Sequence, residues 1–488
     1  MNIYLESSHR RLASVFLCAL VLRLLFLGWA VSGWHAEPQS GMSLYYFRQG
    51  YGLAAGYGLV SWQGAAGDQL KHLYSEVESG QLAASPATAP PLNGDAHFDA
   101  VHPPGMALLV AGIHRVLRMP ADVPVELLGV LLDSIAAVLL CWLVAHAIAP
   151  DVGYATGLLY AFFPPAAHAA SSRTPEGLIA VLVIAAVASF WLAFAHGKVG
   201  WWRWSVLAGV MLGVAGYFRP DYLLLPVALA VGAWAITREF WPSFKSALLA
   251  QCICFLALLP WASRNHGLTG RWLFTSTSVG PTLITGLGEY HNPWGYGVSD
   301  MDRETQARAA GLQSWTSSAA DLYFRRLFWT SIERNPYGYL MAVAKRVPLA
   351  LAPPLDIGLE NPYRTHSFAE TRQAKGSDRY ESVRKAPLRI FLAYDDMLAM
   401  AGLTFLALVA WAYLAWRERG RWGLCLFLFM PHLYAVGTHL LTHFEPRFLL
   451  PSIGFLLIGL GYVAALIAAR LKNSSSSVSV PATAGLLP

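Results

Sequence analysis

The sequence predicts an all-α polytopic membrane protein with about ten transmembrane helices and two large outer loops. Three observations predict it. The chain of 488 residues is 55% hydrophobic and only 13% charged, whereas a soluble domain carries about 25% charged residues. Apolar runs long enough to cross a hydrocarbon core recur from end to end. Most Lys and Arg flank those runs, where they orient a membrane protein, so the net charge of +6 does not indicate a nucleic-acid partner.

The first run, 12–32, follows Arg10-Arg11. It is too long for a signal-peptide core and lacks a clear small-residue cleavage site, so it reads as an uncleaved span. A first large loop, 33–120, follows. Gly41 to Tyr57 reads as an amphipathic helix on the membrane surface, and the Gly-, Ala- and Pro-rich stretch Gly64 to Asp99 reads as irregular. Pro104 to Leu117 is apolar but short and contains His114 and Arg115, which suits an interfacial helix. Further spans are expected at 123–148, 152–169, 176–196, 204–218, 222–237 and 245–263. The second large loop, 264–386, holds expected helices at Ala319–Arg334 and Pro336–Leu351. Spans at 389–415, 422–441 and 447–470 complete a single domain over 1–470. The Ser-rich tail 471–488 reads as disordered.

Charge sets the orientation. Arg10, Arg11, Lys198, Arg203, Arg238, Lys245, Arg417, Arg419, Arg421, Arg470 and Lys472 fall in one set of short connections. The other set holds Arg173, Arg219 and Arg447, one each. This asymmetry predicts cytoplasmic N- and C-termini and places both large loops outside, with the 149–152 turn as the exception. Cys18, Cys141, Cys252, Cys254 and Cys425 all lie in apolar runs and read as small buried hydrophobes. The hydropathy pattern shows no internal repeat of the kind many transporters carry.

Ionisable groups recur where spans meet the outer face: Glu37, Asp99, His102, Arg173, Glu176, Arg219, Asp221, Arg264 with Asn265, Glu445 and Arg447. Such groups are costly at the edge of hydrocarbon unless they pair or bind something. Arginine forks suit a phosphate, and a carboxylate can take a proton from a hydroxyl; helix-end capping is the structural alternative. Asp133 lies inside a span and either lines a groove or bonds a neighbouring helix. Asp300-Met301-Asp302 matches the Asp-x-Asp metal signature of sugar-nucleotide transferases but has no strand context. Zinc-protease spacing and a phosphate-cradling Gly-rich loop are both missing from the sequence.

Several segments resemble the GT-C membrane glycosyltransferases, in the bacterial branch of protein mannosyltransferases and lipid A aminoarabinose transferases. They are Tyr46, Gly50, Leu53, Gly56 and Gly58; His102-Pro103-Pro104-Gly105; Ser171-Ser172-Arg173-Thr174-Pro175-Glu176; Tyr217-Phe218-Arg219-Pro220; Pro260-Trp261-Ala262-Ser263-Arg264-Asn265 with Gly270, Thr275–Ser278, Gly280, Leu283 and Gly286; and Glu445-Pro446-Arg447-Phe448 with Pro451. The resemblance implies a hexosyl- or pentosyltransferase in a bacterial inner membrane. Its donor would be a polyprenyl-phosphate sugar, its acceptor a glycan, lipid or protein, and membrane lipid would surround it. It implies no obligate cofactor, with a divalent metal left open. Arg264 and Arg447, with Arg219, would hold the carrier phosphate, and Arg173, Glu176, Asn265 and Glu445 would complete the substrate site.

One position departs from the family pattern. The acid expected four residues before Tyr46 is replaced by Met42, which cannot accept a proton. Glu37 or Asp99 is then the candidate base, with His102 assisting. A lipid-linked glycan flippase, a glycan polymerase or ligase, and a non-catalytic family member are the competing readings.

Overall fold

The computed structural model describes residues 2–31, 41–60, 64–80, 100–195, 200–289, 292–353 and 397–476. Among them all regular elements are helices. Helix α1 (Asn2–Val31) enters the bundle. Helices α2 (Gly41–Ala54), α3 (Gly64–Glu78) and α4 (Gly105–Leu117) form the first large loop. Helix α3 overturns the irregular reading over 64–78, the rest of that stretch from 81 to 99 lying outside the described residues: Leu70, Leu73 and Val77 share one helical face and bury it beneath α2.

The bundle continues with α5 (Asp122–Ala147), α6 (Pro150–Ala161), α7 (Pro164–Ala170), α8 (Glu176–Ala195), α9 (Trp201–Phe218), α10 (Leu225–Thr237) and α11 (Phe240–Thr269). The second large loop holds α12 (Val279–Gly288), α13 (Asp300–Ala309), α14 (Ser318–Arg334) and α15 (Pro336–Leu351). Helices α16 (Met397–Arg417), α17 (Trp422–Leu441) and α18 (Ile453–Ser476) complete the bundle. The last helix runs past the expected end of its span at 470.

Among the described residues, eight helices are long and apolar enough to cross a membrane. The expected span at 152–169 is instead the broken pair α6 and α7. Pro164 and Pro165 open α7 and cannot donate backbone hydrogen bonds, so the helix stops at Ala161. The Ala161 carbonyl would have bonded the missing Pro165 N–H. The Arg23 guanidinium takes that place, donating from Nη1 over 3.0 Å.

Arg23 is fully buried. Its Nε donates to Asp133 Oδ2 at 2.6 Å, and the Tyr160 hydroxyl donates to Asp133 Oδ1 at 2.6 Å. Asp133 therefore bonds α5 to α1 and α6 and is not left to line a groove. Around this pair the core is built from small and aliphatic residues. Ala208, Ala215, Ala247 and Ala250 let α9 and α11 approach closely. Leu17, Leu25, Val227, Leu248, Leu256, Phe405 and Leu406 face outward, as a lipid-facing surface requires.

Among the described residues, basic groups of several short connections meet at one end, with Arg238 over the Trp422 ring. Arg11 pairs with Asp151 at 2.7 Å, Arg421 reaches the Ala147 carbonyl, and Tyr462 donates to Glu418. Both large loops rise from the opposite end, each over its own apolar core. Val101, from the first loop, packs in the core of the second with Ile284, Leu287 and Phe324. The Thr277 N–H donates to the Ala100 carbonyl at 2.8 Å, so the loops meet along this line.

Candidate active site

Two X-Pro steps shape the site. A residue before proline is driven out of the helical region. Arg219 precedes Pro220 and is extended (φ −154°, ψ 133°), which ends α9. Glu445 precedes Pro446 and is also extended (φ −115°, ψ 132°). Short 3-10 turns follow both prolines, and the charged side chains turn into the loop-bearing end of the bundle.

There the structure brings together Glu176, Arg219, Glu445 and Arg447. Arg219 lies 2.9 Å from Glu176 Oε1 and 2.6 Å from Asp221 Oδ2. Arg447 lies 3.6 Å from the same Glu176 oxygen and 2.6 Å from Glu445 Oε2. Glu176 Oε2 is buried with no hydrogen-bond partner among the described residues. The Arg219 guanidinium sits 3.9 Å from the centre of the Phe448 ring, and Arg447 sits 5.3 Å from it. The carboxylates and the ring hold two cations side by side. Burial resists ionisation of Glu445, but Arg447 and His443 outweigh it and hold the carboxyl well below its usual range.

Three partners of this group escaped the sequence reading. His443 contacts Glu289 through Nδ1 and Glu445 through Nε2, the latter at 3.0 Å. The fully buried Arg346 donates to Glu289 at 2.7 Å and to the Leu440 carbonyl at 2.6 Å. Acids and bases alternate along the chain Asp221, Arg219, Glu176, Arg447, Glu445, His443, Glu289 and Arg346. The only local signal was a histidine two residues before Glu445.

His102 stands at the junction of the two loops. Tyr45 packs edge-on against it at 4.7 Å between ring centres, and Tyr46 at 6.1 Å. Burial, with help from the charge of Arg447, lowers its pKa to about 4 against the pull of Asp300. At neutral pH the ring is therefore uncharged and a weak base, with a lone pair that can accept a hydrogen bond from a hydroxyl. Tyr45, Tyr46, Gln49, Leu59 and His102 line a narrow crevice. Arg264 reaches its rim, donating to the Leu59 carbonyl at 3.4 Å and resting over Trp261 at 4.9 Å. Asn265 is fully buried; it donates to the Leu273 carbonyl at 2.9 Å and accepts from Arg264 at 3.2 Å. Its amide thus orients Arg264.

Gly105 explains the end of the His-Pro-Pro-Gly segment. A Cβ there would lie 2.6 Å from the Tyr217 carbonyl oxygen, two residues before Arg219. Gly105→Ala must push α4 away from α9 and separate His102 from the arginines. A loss of about 1–3 kcal/mol, the usual cost of overpacking, is expected in thermal unfolding, together with reduced turnover.

Arg173 belongs to a separate group, with Glu126 Oε1 at 3.1 Å, Tyr74 and Asp122. Glu37 and Asp99 lie outside the described residues; Met42 lies near the start of α2. Asp302 closes a capping box with Ser299 at the start of α13, which accounts for one acid of the Asp-x-Asp match. No metal-binding cluster of His, Cys, Asp or Glu occurs among the described residues. Trp294 lines a cavity of about 230 Å³ with Asn335, Tyr337 and Lys345.

Residues 101–263 match the family described as dolichyl-phosphate-mannose-protein mannosyltransferase. That interval contains His102, Arg173, Glu176 and Arg219 and ends one residue before Arg264. No curated protein matches the chain. Among solved structures, the chain is similar to the oligosaccharyltransferase of Archaeoglobus fulgidus. The form tethered to an acceptor peptide containing the NVT sequon matches at 11% identity with a TM-score of 0.55, over 99% of this chain and 52% of that one. The form in complex with an inhibitory peptide and a dolichol-phosphate matches at 12% identity with a TM-score of 0.54, over 98% and 52%. The apo form matches at 10% identity with a TM-score of 0.53, over 96% and 52%. The chain spans about half the length of these structures. The family match over residues 101–263 agrees with the resemblance to protein mannosyltransferases, and the solved structures show that the fold is shared.

Proposed function

We propose that this chain is a GT-C glycosyltransferase that moves a sugar from a polyprenyl-phosphate carrier to an acceptor at the outer face of the membrane. The observation that carries the reading is the pair Arg219 and Arg447. Both are held beside Phe448 at the end of the bundle where the two large loops and His102 converge. Donors fixed in advance, away from bulk water, stabilise developing negative charge better than mobile ones. Arg447, Arg264 and Arg219 would hold the carrier phosphate as it becomes the leaving group. Glu176 and Glu445 would keep the forks aimed.

Glu37 or Asp99 takes the proton of the acceptor hydroxyl, with neutral His102 assisting. The hydroxyl oxygen attacks the anomeric carbon as the bond to the phosphate oxygen breaks, so the configuration inverts. The basic short connections face the cytoplasm and both termini lie there. The protein would belong to a bacterial inner membrane, with protein, lipid or glycan as the acceptor.

Purified protein supplied with radiolabelled polyprenyl-phosphate sugar tests this reading. Release of polyprenyl phosphate, or sugar transfer, is expected. Arg264→Ala should lower it by about 100-fold, the scale of one transition-state donor. Wild-type release in that variant would remove Arg264 from the phosphate site.

A further inference from the structure

His443 bridges the second large loop and the arginine pair. Glu289 follows the end of α12 in the loop, and His443 lies between α17 and the 3-10 turn that carries Arg447. Glu289 contacts His443 Nδ1 and also accepts from the Phe444 N–H at 3.0 Å. Arg346 of α15 holds the other Glu289 oxygen at 2.7 Å. The opposite ring nitrogen faces Glu445 Oε1 at 3.0 Å, and Glu445 Oε2 grips Arg447 Nε at 2.6 Å. A neutral imidazole has one N–H and one lone pair. With a carboxylate at each nitrogen, the neutral ring would turn its lone pair on an anion. Only the doubly protonated ring satisfies both sides.

We infer that His443, held as an imidazolium between Glu289 and Glu445, is a positioning residue that fixes the Arg447 fork and makes it depend on docking of the second large loop. The inference rests on the phosphate role proposed for Arg447. The charged and titratable groups around the ring are Glu289 from the loop, Glu445 and Arg447 from the turn, Arg346 from α15 and His439 from α17. Burial favours the neutral ring, but the hydrogen bonds and charges of Glu289 and Glu445 prevail and raise the His443 pKa to about 9. Its charge is therefore present at neutral pH and lost as pH rises through about 9. Deprotonation removes the attraction between His443 and Glu445, and the Arg447 fork loses that support.

The test is the pH profile of kcat for release of polyprenyl phosphate from a radiolabelled polyprenyl-phosphate sugar. The wild type should lose activity on an alkaline limb near pH 9. Glu289→Gln keeps the shape but removes a charge, so the limb should move down by about one pH unit or more, and kcat at neutral pH should fall more than KM rises. A purely structural role predicts lower activity with the limb unmoved, and that result overturns the inference. Should Glu289→Gln fail to fold, 15N histidine NMR of the wild-type protein in nanodiscs decides. Two protonated ring nitrogens on His443 at pH 7.5 support the inference, and a neutral ring overturns it. Normal turnover in Arg447→Ala would instead defeat the phosphate reading itself. An inactive Arg447→Ala beside an unmoved limb in Glu289→Gln would defeat only the role of His443.

Discussion

Arg447→Ala is expected to lower transfer from a lipid-phosphate sugar by about 100- to 1,000-fold, the range seen when one preorganised donor to a developing anion is removed. The argument is geometric. Arg447 is fastened by Glu445 at 2.6 Å and by Glu176 at 3.6 Å, and it lies beside the ring that also supports Arg219. Little side-chain ordering is left for the reaction itself. Arg447→Lys should recover only part of the loss, because one ammonium cannot meet two carboxylates and a phosphate in the plane of a guanidinium fork. The loss should fall on kcat more than on KM. Expression and the thermal transition should persist in detergent, because Arg219 still faces Glu176 and His443 still faces Glu445. Turnover kinetics of the three proteins beside their melting curves check this.

Asp133→Leu should have the largest effect on stability. It leaves Arg23, fully buried among α1, α5 and α6, without its counter-charge. Breaking a buried pair from one side costs about 3–5 kcal/mol. Removing both charges with Arg23→Met and Asp133→Leu should restore much of that, because a packed apolar pair replaces a desolvated ionic one. The Ala161 carbonyl would still lack the donor that Arg23 provides, so recovery should be incomplete. Thermal unfolding of the two variants measures the difference. Sugar transfer by the double variant should survive, because the pair is enclosed within the bundle. A transporter that used Asp133 on its path would lose function in both variants.

Much of the fold was legible because long apolar runs and flanking charge are local properties. The helix at Pro336–Leu351 has the expected bounds, and the helices of the first loop at Gly41–Ala54 and Gly105–Leu117 lie where amphipathic and short apolar stretches put them. Failures came where one residue type concealed another. Gly64, Ala65, Ala66 and Gly67 gave the start of α3 a loop-like composition, although Leu70, Leu73 and Val77 carry a helical stripe. Pro164-Pro165 sits within an apolar run whose total length still suits a span. Arg23 was passed over inside the first span, where its partner could not be read.

The site divides in the same way. Arg219, Glu176, Glu445 and Arg447 stood out as charges at span ends, and the structure gathers them. Arg173 stood out equally but joins Asp122 and Glu126, because an end-of-span position does not specify which neighbours surround it. His443 and Glu289 pair across 154 residues of chain, and no pattern in a single sequence encodes that contact. Asp300 and Asp302 looked like a metal motif, but Asp302 accepts from the Ser299 N–H and hydroxyl as a helix cap.

Sealed proteoliposomes containing the purified protein and a radiolabelled polyprenyl-phosphate sugar give the most direct test of sugar transfer. Cleavage of the sugar–phosphate bond, with polyprenyl phosphate released and the transferred sugar inverted at its anomeric carbon, is the predicted result. Movement of the intact lipid-linked sugar from one leaflet to the other, without cleavage, would contradict the account.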